Sequence, residues 1–469
     1  MIAKKLFFLF SLLTLSLGGC GERMTPTNTL KPTSVTPAGQ VLTHVPTRQA
    51  TSTSSPPSPA TTVTPIETGA PTTPTAMATP LPTYPPETQV KIQCLKVSPE
   101  FPDIADSIGT VIFDGRQISN GRYIPETFLR EMVTGHSLKI TGENESFNNF
   151  VVSLNKNMVA FNRVMINAND RITQNEIALA DAAGQIQMTT PWEADWLALL
   201  QWTDDQRLLL AYDQPITTTD GYPAQASYLV LNPATDDRQI ISPDYPNFLD
   251  LTNAWGWQGV VYDPALTRAV YGWQYMDGDE EMYTLGLWDT ERHQLITTME
   301  DYYAYYPVFK SETPLPRWAL DGSKFAFRGQ FLASRADERV TIELYQADRD
   351  GQVNQLTHFG LATSYLPGRS FSWSPDGRYI AMYLEDWYDV NETHVALLDT
   401  ETQTVTDYCI PIRGMPSVPI WSPDSTQFLV VDRYAKKHQR VILIDIVQGF
   451  AAVIAEDVEP VGWMVALEK

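Results

Sequence analysis

The sequence predicts an all-β fold in which one small sheet is repeated around a ring, the arrangement called a β-propeller. After Val90, short runs rich in Val, Ile, Leu and aromatic residues are broken about every 8 to 12 residues by Asp, Asn, Gly or Pro. No long segment has the spacing of an amphipathic helix. A ten-residue stretch, "WSPDGRYIAM" from Trp373, recurs along the chain. Together these observations indicate many short strands arranged in repeats.

The recurring stretch is typical of a strand end, a tight turn and a second strand. In the best copy, Pro375 fixes the first corner of the turn, Asp376 takes the second, and Gly377 supplies a positive φ. Neighbouring copies begin 42 to 60 residues apart, counting a seventh at Trp463 that the chain end truncates. The six full copies begin at Val152, Trp202, Tyr262, Trp318, Trp373 and Trp421.

A second element, a strand followed by a polar turn and another strand, comes after each copy. One such element, "FLREMVTGHSLKI" from Phe128, precedes the first full copy. The C-terminal strand around Trp463 can therefore complete the blade that spans Gly109 to Ile140, so that the two chain ends close the ring. We predict seven four-stranded blades; counts of six and eight stay open, because the copy at Val152 and the terminal ones match weakly.

The best copies identify a family resemblance. "WSPDGRYIAM", "WALDGSKFAF" from Trp318 and "WSPDSTQFLV" from Trp421 resemble the WD-like propeller repeat of TolB, which also occurs in the propeller domains of prolyl-oligopeptidase-type proteases. The resemblance covers about residues 109–469. The turn glycine is replaced in four copies, which leaves their local turn geometry open: the replacing residues are Lys156, Gln206, Leu266 and Ser425.

The N-terminal region predicts a membrane-anchored protein. An apolar run from Leu6 to Leu17 follows two lysines, and Leu17-Gly18-Gly19-Cys20 resembles the bacterial lipoprotein signal motif, which implies a lipidated Cys20. The alternative is an ordinary secretory signal or an uncut anchor. The predicted organisation is a signal peptide (1–19), a lipidated cysteine with a disordered Thr/Pro-rich stalk (20–88) and a TolB-like propeller (89–469). This organisation is similar to that of bacterial surface lipoproteins, extracytoplasmic and anchored to the cell membrane by lipid alone.

Charge and cysteine content limit which partners and which cellular compartment we expect for the protein. The formal net charge of -22 would repel a phosphate backbone, so we expect no nucleic-acid partner. Besides Cys20, the chain contains only Cys94 and Cys409. Outside the cytoplasm, a disulfide between them would survive and would close a very long loop. Two buried, unpaired thiols are the alternative.

Signatures of catalysis are missing from the sequence. Asp376 has equivalents at Asp205, Asp321 and Asp424 in separate repeats, which favours a turn role over a catalytic one. The chain has no Gly-x-Ser-x-Gly motif, and its six histidines are scattered. The acidic turn "ADRDGQ" from Ala347 lacks the glutamate of a calcium loop and is predicted to be a hairpin turn. We expect no catalytic residue, no metal and no cofactor.

The longest connections are predicted on one rim of the propeller, opposite the tight turns. Loops on a rigid scaffold often bind ligands, and aromatic and acidic side chains together suit a sugar, a cationic peptide or a protein. The alternative is that the aromatic residues pack beneath their own loops. The candidate ligand rim consists of Trp255, Trp257, Tyr302, Tyr303, Tyr305, Tyr306, Trp387, Tyr388, Asp277, Asp279, Glu385 and Asp386. Tyr245 belongs to the same group of predicted rim aromatics.

These features favour a non-catalytic binding or protein-interaction scaffold that is anchored outside the cell membrane and contacts an envelope protein, an extracellular protein or a glycan. An alternative is a propeller enzyme of the glycan hydrolase or lyase type, with two rim carboxylates as acid and base. A TolB-like partner of an envelope complex is a third hypothesis, although a freely soluble partner would need neither stalk nor lipid.

Overall fold

A computed structural model of the chain shows an all-β protein. The residues that it describes are 88–99, 109–119, 122–142, 144–166, 172–192, 197–213, 226–241, 245, 260–277, 280–299, 302–303, 315–331, 341–359, 365–386, 393–435 and 438–465. They form 32 strands and no helix. Within these ranges, nothing helical has the length and apolar character needed to cross a membrane. Contacts divide the chain into Met1–Pro80 and Leu81–Lys469, and every described residue belongs to the second unit.

The strands are assigned to seven sheets, which we number as blades 1 to 7. Two short strands begin the described chain: β1 (Val90–Ile92) and β2 (Val97–Ser98). Blade 1 starts with β3 (Thr110–Ser119), β4 (Arg122–Glu131) and β5 (Ser137–Lys139). Blade 2 contains β6 (Glu145–Val152), β7 (Met158–Ile166), β8 (Ile172–Asp181) and β9 (Ile186–Pro191). Blade 3 contains β10 (Leu197–Trp202), β11 (Leu208–Asp213), β12 (Ala226–Asn232) and β13 (Asp237–Ile241).

The later blades follow the same plan, with the inner strand of blades 5 and 6 split in two. Blade 4 contains β14 (Val260–Tyr262), β15 (Arg268–Asp277), β16 (Glu280–Asp289) and β17 (Gln294–Thr298). Blade 5 contains β18 (Tyr302–Tyr303), β19 (Arg317–Trp318), β20 (Lys324–Phe331), β21 (Thr341–Asp348) and β22 (Val353–Gln355). Blade 6 contains β23 (Tyr365–Pro367), β24 (Ser372–Trp373), β25 (Tyr379–Asp386), β26 (Thr393–Asp399) and β27 (Thr404–Ile412). Blade 7 contains β28 (Ile420–Trp421), β29 (Gln427–Ala435), β30 (His438–Asp445) and β31 (Phe450–Glu456), and β32 (Val458–Met464) follows it.

The predicted closure of the ring is confirmed. β32, from the C-terminal end, is the inner strand of blade 1 and pairs antiparallel with β3, from Thr110 opposite Met464 to Gly115 opposite Val458. Gly109 permits this junction, since its φ is 102° and a Cβ there would lie 2.2 Å from the Met464 carbonyl oxygen. The seven-bladed propeller is therefore closed by non-covalent pairing of the two ends of one chain.

The core consists of seven hydrophobic clusters, one in each seam between adjacent blades. Between blades 6 and 7, for example, Tyr383 and Val395 pack with Phe428 and Ile442. Between blades 7 and 1, Leu443 packs with Val111, Phe113 and Trp463. Each sheet is thus covered on both faces only by its neighbours, and the sheets depend on the closed ring for burial of their apolar side chains.

The recurring turn has one backbone geometry whether or not glycine is present. Gly322 and Gly377 have φ values of 66° and 71°. The four replacing residues named above, Lys156, Gln206, Leu266 and Ser425, have φ values of 59°, 62°, 57° and 65°. The sequence left these turns open, and the structure shows that they keep the left-handed corner without glycine, at a conformational cost of about 1 kcal/mol each.

The tryptophan that begins the repeat connects neighbouring blades. The indole Nε1 of Trp373 donates to the backbone oxygen of Arg317, which lies one residue before the equivalent Trp318 (2.9 Å). Trp421 donates in the same way to Ser372 (3.2 Å). The same bond recurs from Trp202 to Val151 and from Trp318 to Val261. The repeat therefore encodes the contact between blades as well as the turn.

The segment Thr88–Ser98, called the strap below, crosses the outer edges of three blades. β1 pairs parallel with β27 of blade 6, and β2 pairs parallel with β31 of blade 7. At its start, the backbone N–H of Thr88 donates to the backbone oxygen of His358 in blade 5 (2.9 Å). Cys94 forms a disulfide with Cys409 of β27, and their Cα atoms are 4.8 Å apart. The strap is thereby joined covalently to blade 6.

Candidate functional site

The propeller has two rims of different construction. Turns between first and second strands and between third and fourth strands lie on one side, here called the short-turn rim. Connections between second and third strands and between blades lie on the opposite side, the long-loop rim. Both names follow from the strand order within each sheet.

Carboxylates on the short-turn rim accept hydrogen bonds from residues of their own turns. In blade 6, Asp376 Oδ1 accepts a hydrogen bond from the Ser374 hydroxyl and another from the backbone N–H of Arg378 (3.1 Å). Asp424 in blade 7 accepts from the Ser422 hydroxyl in the same manner (2.6 Å). These side chains stabilise turns, and their lone pairs are directed at their own loops.

A partly buried ion pair joins blades 4 and 5 on the same rim. The Asp263 side chain is fully buried, and its Oδ2 lies 2.6 Å from Nη1 of Arg349, in the turn of blade 5. Nη1 of Arg349 also donates to the backbone oxygen of Gly322 (2.9 Å). This arrangement connects the two blades through one guanidinium group.

Arg349 lies in the acidic turn "ADRDGQ". Asp348 Oδ1 accepts backbone N–H bonds from Asp350 (2.9 Å) and Gln352 (2.8 Å), so its carboxylate closes the hairpin between β21 and β22. Over the part of the chain that the structure describes, no three His, Cys, Asp or Glu side chains are grouped as metal ligands. The hydrogen bonds within the hairpin explain why an aspartate begins this turn.

Most of the candidate ligand rim lies outside the described residues, namely Trp255, Trp257, Asp279, Tyr305, Tyr306, Trp387 and Tyr388. The backbone of three others is described, and it is in strands. Asp277 ends β15 and pairs with Glu280. Tyr302 and Tyr303 form β18, opposite Phe331 and Gln330. The strands of blade 4 thus extend to the hairpin end, where the sequence suggested a longer loop.

Glu385 and Asp386 are the two candidate carboxylates whose side chains are described. Glu385 Oε1 accepts from the backbone N–H of Arg369 (3.3 Å), and its Oε2 lies 4.0 Å from Nη2 of Arg328 in blade 5. Both residues are in β25, and consecutive residues of a strand point to opposite faces. The pair therefore does not converge as a general acid and base would.

Tyr245 shows the packing role that the sequence offered as the alternative for rim aromatics. It is buried, its ring stacks on Tyr271 with centroids 4.7 Å apart, and its hydroxyl donates to the Tyr262 hydroxyl (2.6 Å). Burial raises the pKa of Tyr262 to about 12, although the hydrogen bond from Tyr245 opposes the shift. Tyr245 belongs to the core between blades 3 and 4.

The link between blades 6 and 7, residues 413–419, is a described part of the long-loop rim that the sequence did not single out. Its backbone is fixed from blade 6 at three points. The Tyr383 hydroxyl donates to the Ser417 oxygen (2.8 Å), the Ser370 hydroxyl to the Pro416 oxygen (3.0 Å), and the Ser372 hydroxyl to the Pro419 oxygen (2.7 Å). Buried and surface donors together hold this link in one shape.

Blade 7 fixes the other side of the link. The backbone N–H of Arg413 donates to Oδ1 of the fully buried Asp432 (2.9 Å). Asp432 Oδ2 accepts from Nε of Arg440 (3.0 Å), and the Arg440 guanidinium lies over the Tyr434 ring, 5.9 Å from its centroid. The guanidinium of Arg433 donates to the Met415 oxygen and, at 2.9 Å, to Glu459.

Side chains of the link and the adjacent strand end remain exposed even though the backbone is held. Met415 is 67% exposed, Tyr434 37% and Val418 36%. The Arg413 side chain is 53% exposed, and it shares the buried Asp432 with Arg440. Two guanidinium groups facing one carboxylate leave one positive charge beside the apolar side chains. We call Arg413, Met415, Val418 and Tyr434 the Met415 patch.

Sequence reasoning missed the Met415 patch because it searched long loops for aromatic and acidic residues. The segment "RGMPSVP" from Arg413 is short and has neither. The patch forms only when the link lies beside the end of β29, where Arg440 contacts both the Tyr434 ring and Asp432, the residue that accepts the Arg413 N–H. The two prolines in an otherwise exposed link were the available signal, since proline restricts a loop that a scaffold holds.

Comparisons with known proteins identify no family for the chain. No protein-family model matches the sequence, and no curated protein matches it. Among solved structures, TolB from Acinetobacter baumannii is similar at 13% identity and a TM-score of 0.39, over 81% of this chain and 97% of that one. The β-propeller domain of the trilobed protease from Pyrococcus furiosus is similar at 11% identity and a TM-score of 0.46, over 77% and 97%.

A third similar structure is the periplasmic gluconolactonase PpgL from Pseudomonas aeruginosa, at 13% identity and a TM-score of 0.43, over 75% of this chain and 99% of that one. The structures that resemble the chain thus include TolB as well as enzymes. The likeness does not separate a binding module from an enzyme.

Proposed function

We propose that the protein is a binding module whose partner docks on the long-loop rim of blades 6 and 7, at the Met415 patch. The observation that carries this proposal is the contrast between a fixed backbone and exposed side chains in the link 413–419. A rigid loop loses little conformational entropy on binding, and exposed Met, Val and Tyr side chains gain from being covered. The aromatic residues predicted on the same rim would extend the contact.

The partner that suits this surface is a protein segment with acidic and apolar side chains. Met415 adapts its shape to apolar groups, and Tyr434 offers an aromatic face with a polar tip. Arg413 is half exposed and can form a bidentate pair with a carboxylate. Because the whole chain carries a formal charge of -22, an acidic partner would be repelled elsewhere and directed to this patch.

We further propose that the module is displayed outside the cell membrane, lipidated at Cys20 and carried on the Thr/Pro-rich segment. The disulfide between Cys94 and Cys409 supports an oxidising compartment. β1 and β2 pair near the first residues of β27 and β31, strands that begin at the short-turn rim. The strap therefore begins on the short-turn half of the propeller.

The anchoring is tested by expressing the full chain and Cys20→Ala in a bacterial host and weighing the mature N-terminal peptide by mass spectrometry. We expect a diacylated Cys20 in the membrane fraction, and loss of both acylation and membrane association in Cys20→Ala. An unmodified Cys20, or membrane association that survives the substitution, would remove the lipid anchor from the proposal.

The binding site is tested with a displayed library of random twelve-residue peptides, selected against the folded chain. We expect enrichment of peptides that combine Asp or Glu with Leu, Phe or Tyr. Their affinity should fall at least tenfold in Met415→Ser and in Arg413→Ser, with an unchanged Tm. Val447→Ser is the matched control, because Val447 is similarly exposed, at 73% against 67% for Met415, but lies on the short-turn rim. Selection of basic or glycan-like ligands, or binding that Met415→Ser does not weaken, would contradict the proposal.

A further inference from the structure

The strap lies between the N-terminal part of the chain and the strand that closes the ring. Cys94 comes after β1 and before β2, and Gly109 and β3 follow. β3 pairs with β32, and this pair closes the ring. Any tension on the N-terminus must pass through the strap before it reaches this pair.

We propose that the strap and its disulfide form a mechanical joint that carries tension from the N-terminal tether into blade 6 and keeps it away from the ring-closing pair of β3 and β32. The proposal rests on the proposed surface display, which is what would put tension on the N-terminus. It assigns a mechanical function to a segment that also pairs with the outer strands of blades 6 and 7 and packs Val90, Leu95 and Val97 against the neighbouring core clusters.

Without the disulfide, the strap would resist tension poorly. β1 has three residues and β2 has two, and both are outermost strands. A strand at a sheet edge that is pulled from its end loses its hydrogen bonds one after another, so each bond bears the load alone. Release of the strap would deliver the tension to Gly109 and then to β3.

Tension on the ring-closing pair of β3 and β32 would disrupt the fold of the whole propeller. Val111 of β3 and Trp463 of β32 lie in the cluster between blades 7 and 1, and both are buried. Separation of β3 from β32 would open the ring and expose two sheets whose apolar faces have no other cover. A propeller that is closed by non-covalent pairing opens most readily where its closing strands, here β3 and β32, pair.

With the disulfide, tension leaves the chain at Cys94 and enters β27 at Cys409. β27 pairs with β26 from Thr404 to Ile412, and it keeps this pairing after β1 has been pulled away. Cys409 is also held by its backbone N–H, which donates to Asp407 Oδ1 (2.7 Å). The load then spreads over blade 6 and is not applied directly to the end of β3.

Single-molecule force spectroscopy tests this joint. The mature chain from residue 20 is pulled by its N-terminus, with the second attachment on a peptide tag inserted after Ala183, an exposed residue in the turn between β8 and β9 of blade 2. This geometry applies no force directly to the C-terminus. Native protein is compared with Cys94→Ser/Cys409→Ser and with native protein reduced by a phosphine, which needs no substitution if the variant fails to fold.

In the native protein we expect an early step of about 20 Å, the extended length of Thr88–Gln93, and then no event until blade 6 unfolds at high force. Without the disulfide, we expect an early step of about 70 Å that frees the chain as far as Gly109. The next event, separation of β3 from β32, should occur at less than half the force of the first blade rupture in the native protein.

An equal force for the first blade rupture with and without the disulfide would overturn the proposal, because the joint would then protect nothing. Gln93→Ala is the matched control: it alters the strap beside Cys94, keeps the disulfide, and should retain the native force. A Cys20 found to be unlipidated would remove the source of tension without changing these forces, so failure of the surface display and failure of the joint are distinguishable.

Discussion

The short-turn rim and the link over blades 6 and 7 both contain a fully buried aspartate paired with arginine, but the pairs act differently. On the short-turn rim, Asp263 and Arg349 join blade 4 to blade 5. On the long-loop rim, Asp432 receives a backbone N–H from Arg413 and a guanidinium from Arg440, and the link that it fixes keeps Met415 exposed. The first pair supports the ring, and the second shapes a surface. Stability and binding should therefore respond to substitutions on opposite rims.

The largest effect is expected for Arg349→Ala. This substitution leaves the Asp263 carboxylate buried without its cation, which typically costs about 3 to 5 kcal/mol of the free energy of unfolding. Urea unfolding monitored by tryptophan fluorescence gives the value. Arg292→Ala is the matched control, because Arg292 occupies the corresponding turn of blade 4 but is 72% exposed and 3.8 Å from Asp289. The control should lose less than about 1 kcal/mol; equal losses would show that the connection between blades is unimportant.

The tryptophan of the repeat should have the next largest effect. Trp373→Phe keeps an aromatic ring but removes the donor to the Arg317 oxygen, and a carbonyl left without a partner costs about 1 to 3 kcal/mol. Circular dichroism during thermal unfolding should show a lower Tm with retained β-structure. A Tm unchanged from the native protein would mean that ring packing alone holds the seam between blades 5 and 6.

The lowered pKa of Asp289, on the short-turn rim, predicts that the free energy of unfolding depends on pH. Burial alone would raise its pKa, but backbone N–H groups of Arg292 and Glu291 and the guanidinium of Arg268 outweigh burial and lower the pKa below its ordinary value. A lowered folded-state pKa gives stability that is complete above the unfolded pKa of about 3.9 and is lost as the pH falls through the folded pKa.

We therefore expect Asp289→Asn to lower the free energy of unfolding by about 1 to 2 kcal/mol at pH 7. The difference should shrink as the pH falls below about 4, where the aspartate of the unfolded chain becomes protonated, and then through the lowered folded-state pKa. Urea titrations of both proteins at pH 7 and pH 3 supply the comparison. A difference that is the same at both pH values would exclude the charge of Asp289 as its source.

Substitutions in the recurring turn should change the free energy of unfolding less, and with opposite signs in blade 3 and blade 6. Gln206 is exposed and has a φ of 62°, so Gln206→Gly should relieve backbone strain and stabilise by about 0.5 to 1 kcal/mol. Gly377→Gln is the reciprocal change, and no atom lies within 4 Å of the Cβ that it adds. It should destabilise by a similar amount. Chemical unfolding of both variants checks the signs, and the same sign in both would refute a shared turn geometry.

The architecture was largely predictable from the sequence because the repeat encodes it locally. Trp373, the turn residues after it and the alternating strand mark one blade, and the truncated copy at Trp463 predicts how the ring closes. The strap was harder to foresee, because Val90–Ile92 and Val97–Ser98 are too short to show a pairing partner 300 residues away. Their positions depend on strand edges that exist only in the folded ring.

The candidate site was less predictable for the same reason. Aromatic and acidic residues suggest a binding surface, yet Tyr245 is packed in a seam and Glu385 faces Arg328. The Met415 patch combines residues from a link and from the end of β29, and no local pattern connects Arg413 with Tyr434. A surface that is assembled by neighbouring blades leaves little signal in either segment alone.

We predict that the long-loop rim determines binding and the short-turn rim determines stability. Measuring both properties in one variant from each rim tests this division most directly. For Met415→Ser and Arg349→Ala, the affinity for a selected acidic and apolar peptide is measured by calorimetry and the free energy of unfolding by urea titration. We predict at least a tenfold weaker affinity with unchanged stability for Met415→Ser. For Arg349→Ala, measured well below its Tm, we predict unchanged affinity with a loss of about 3 to 5 kcal/mol. Loss of stability in Met415→Ser, or of peptide affinity in folded Arg349→Ala, would contradict this division.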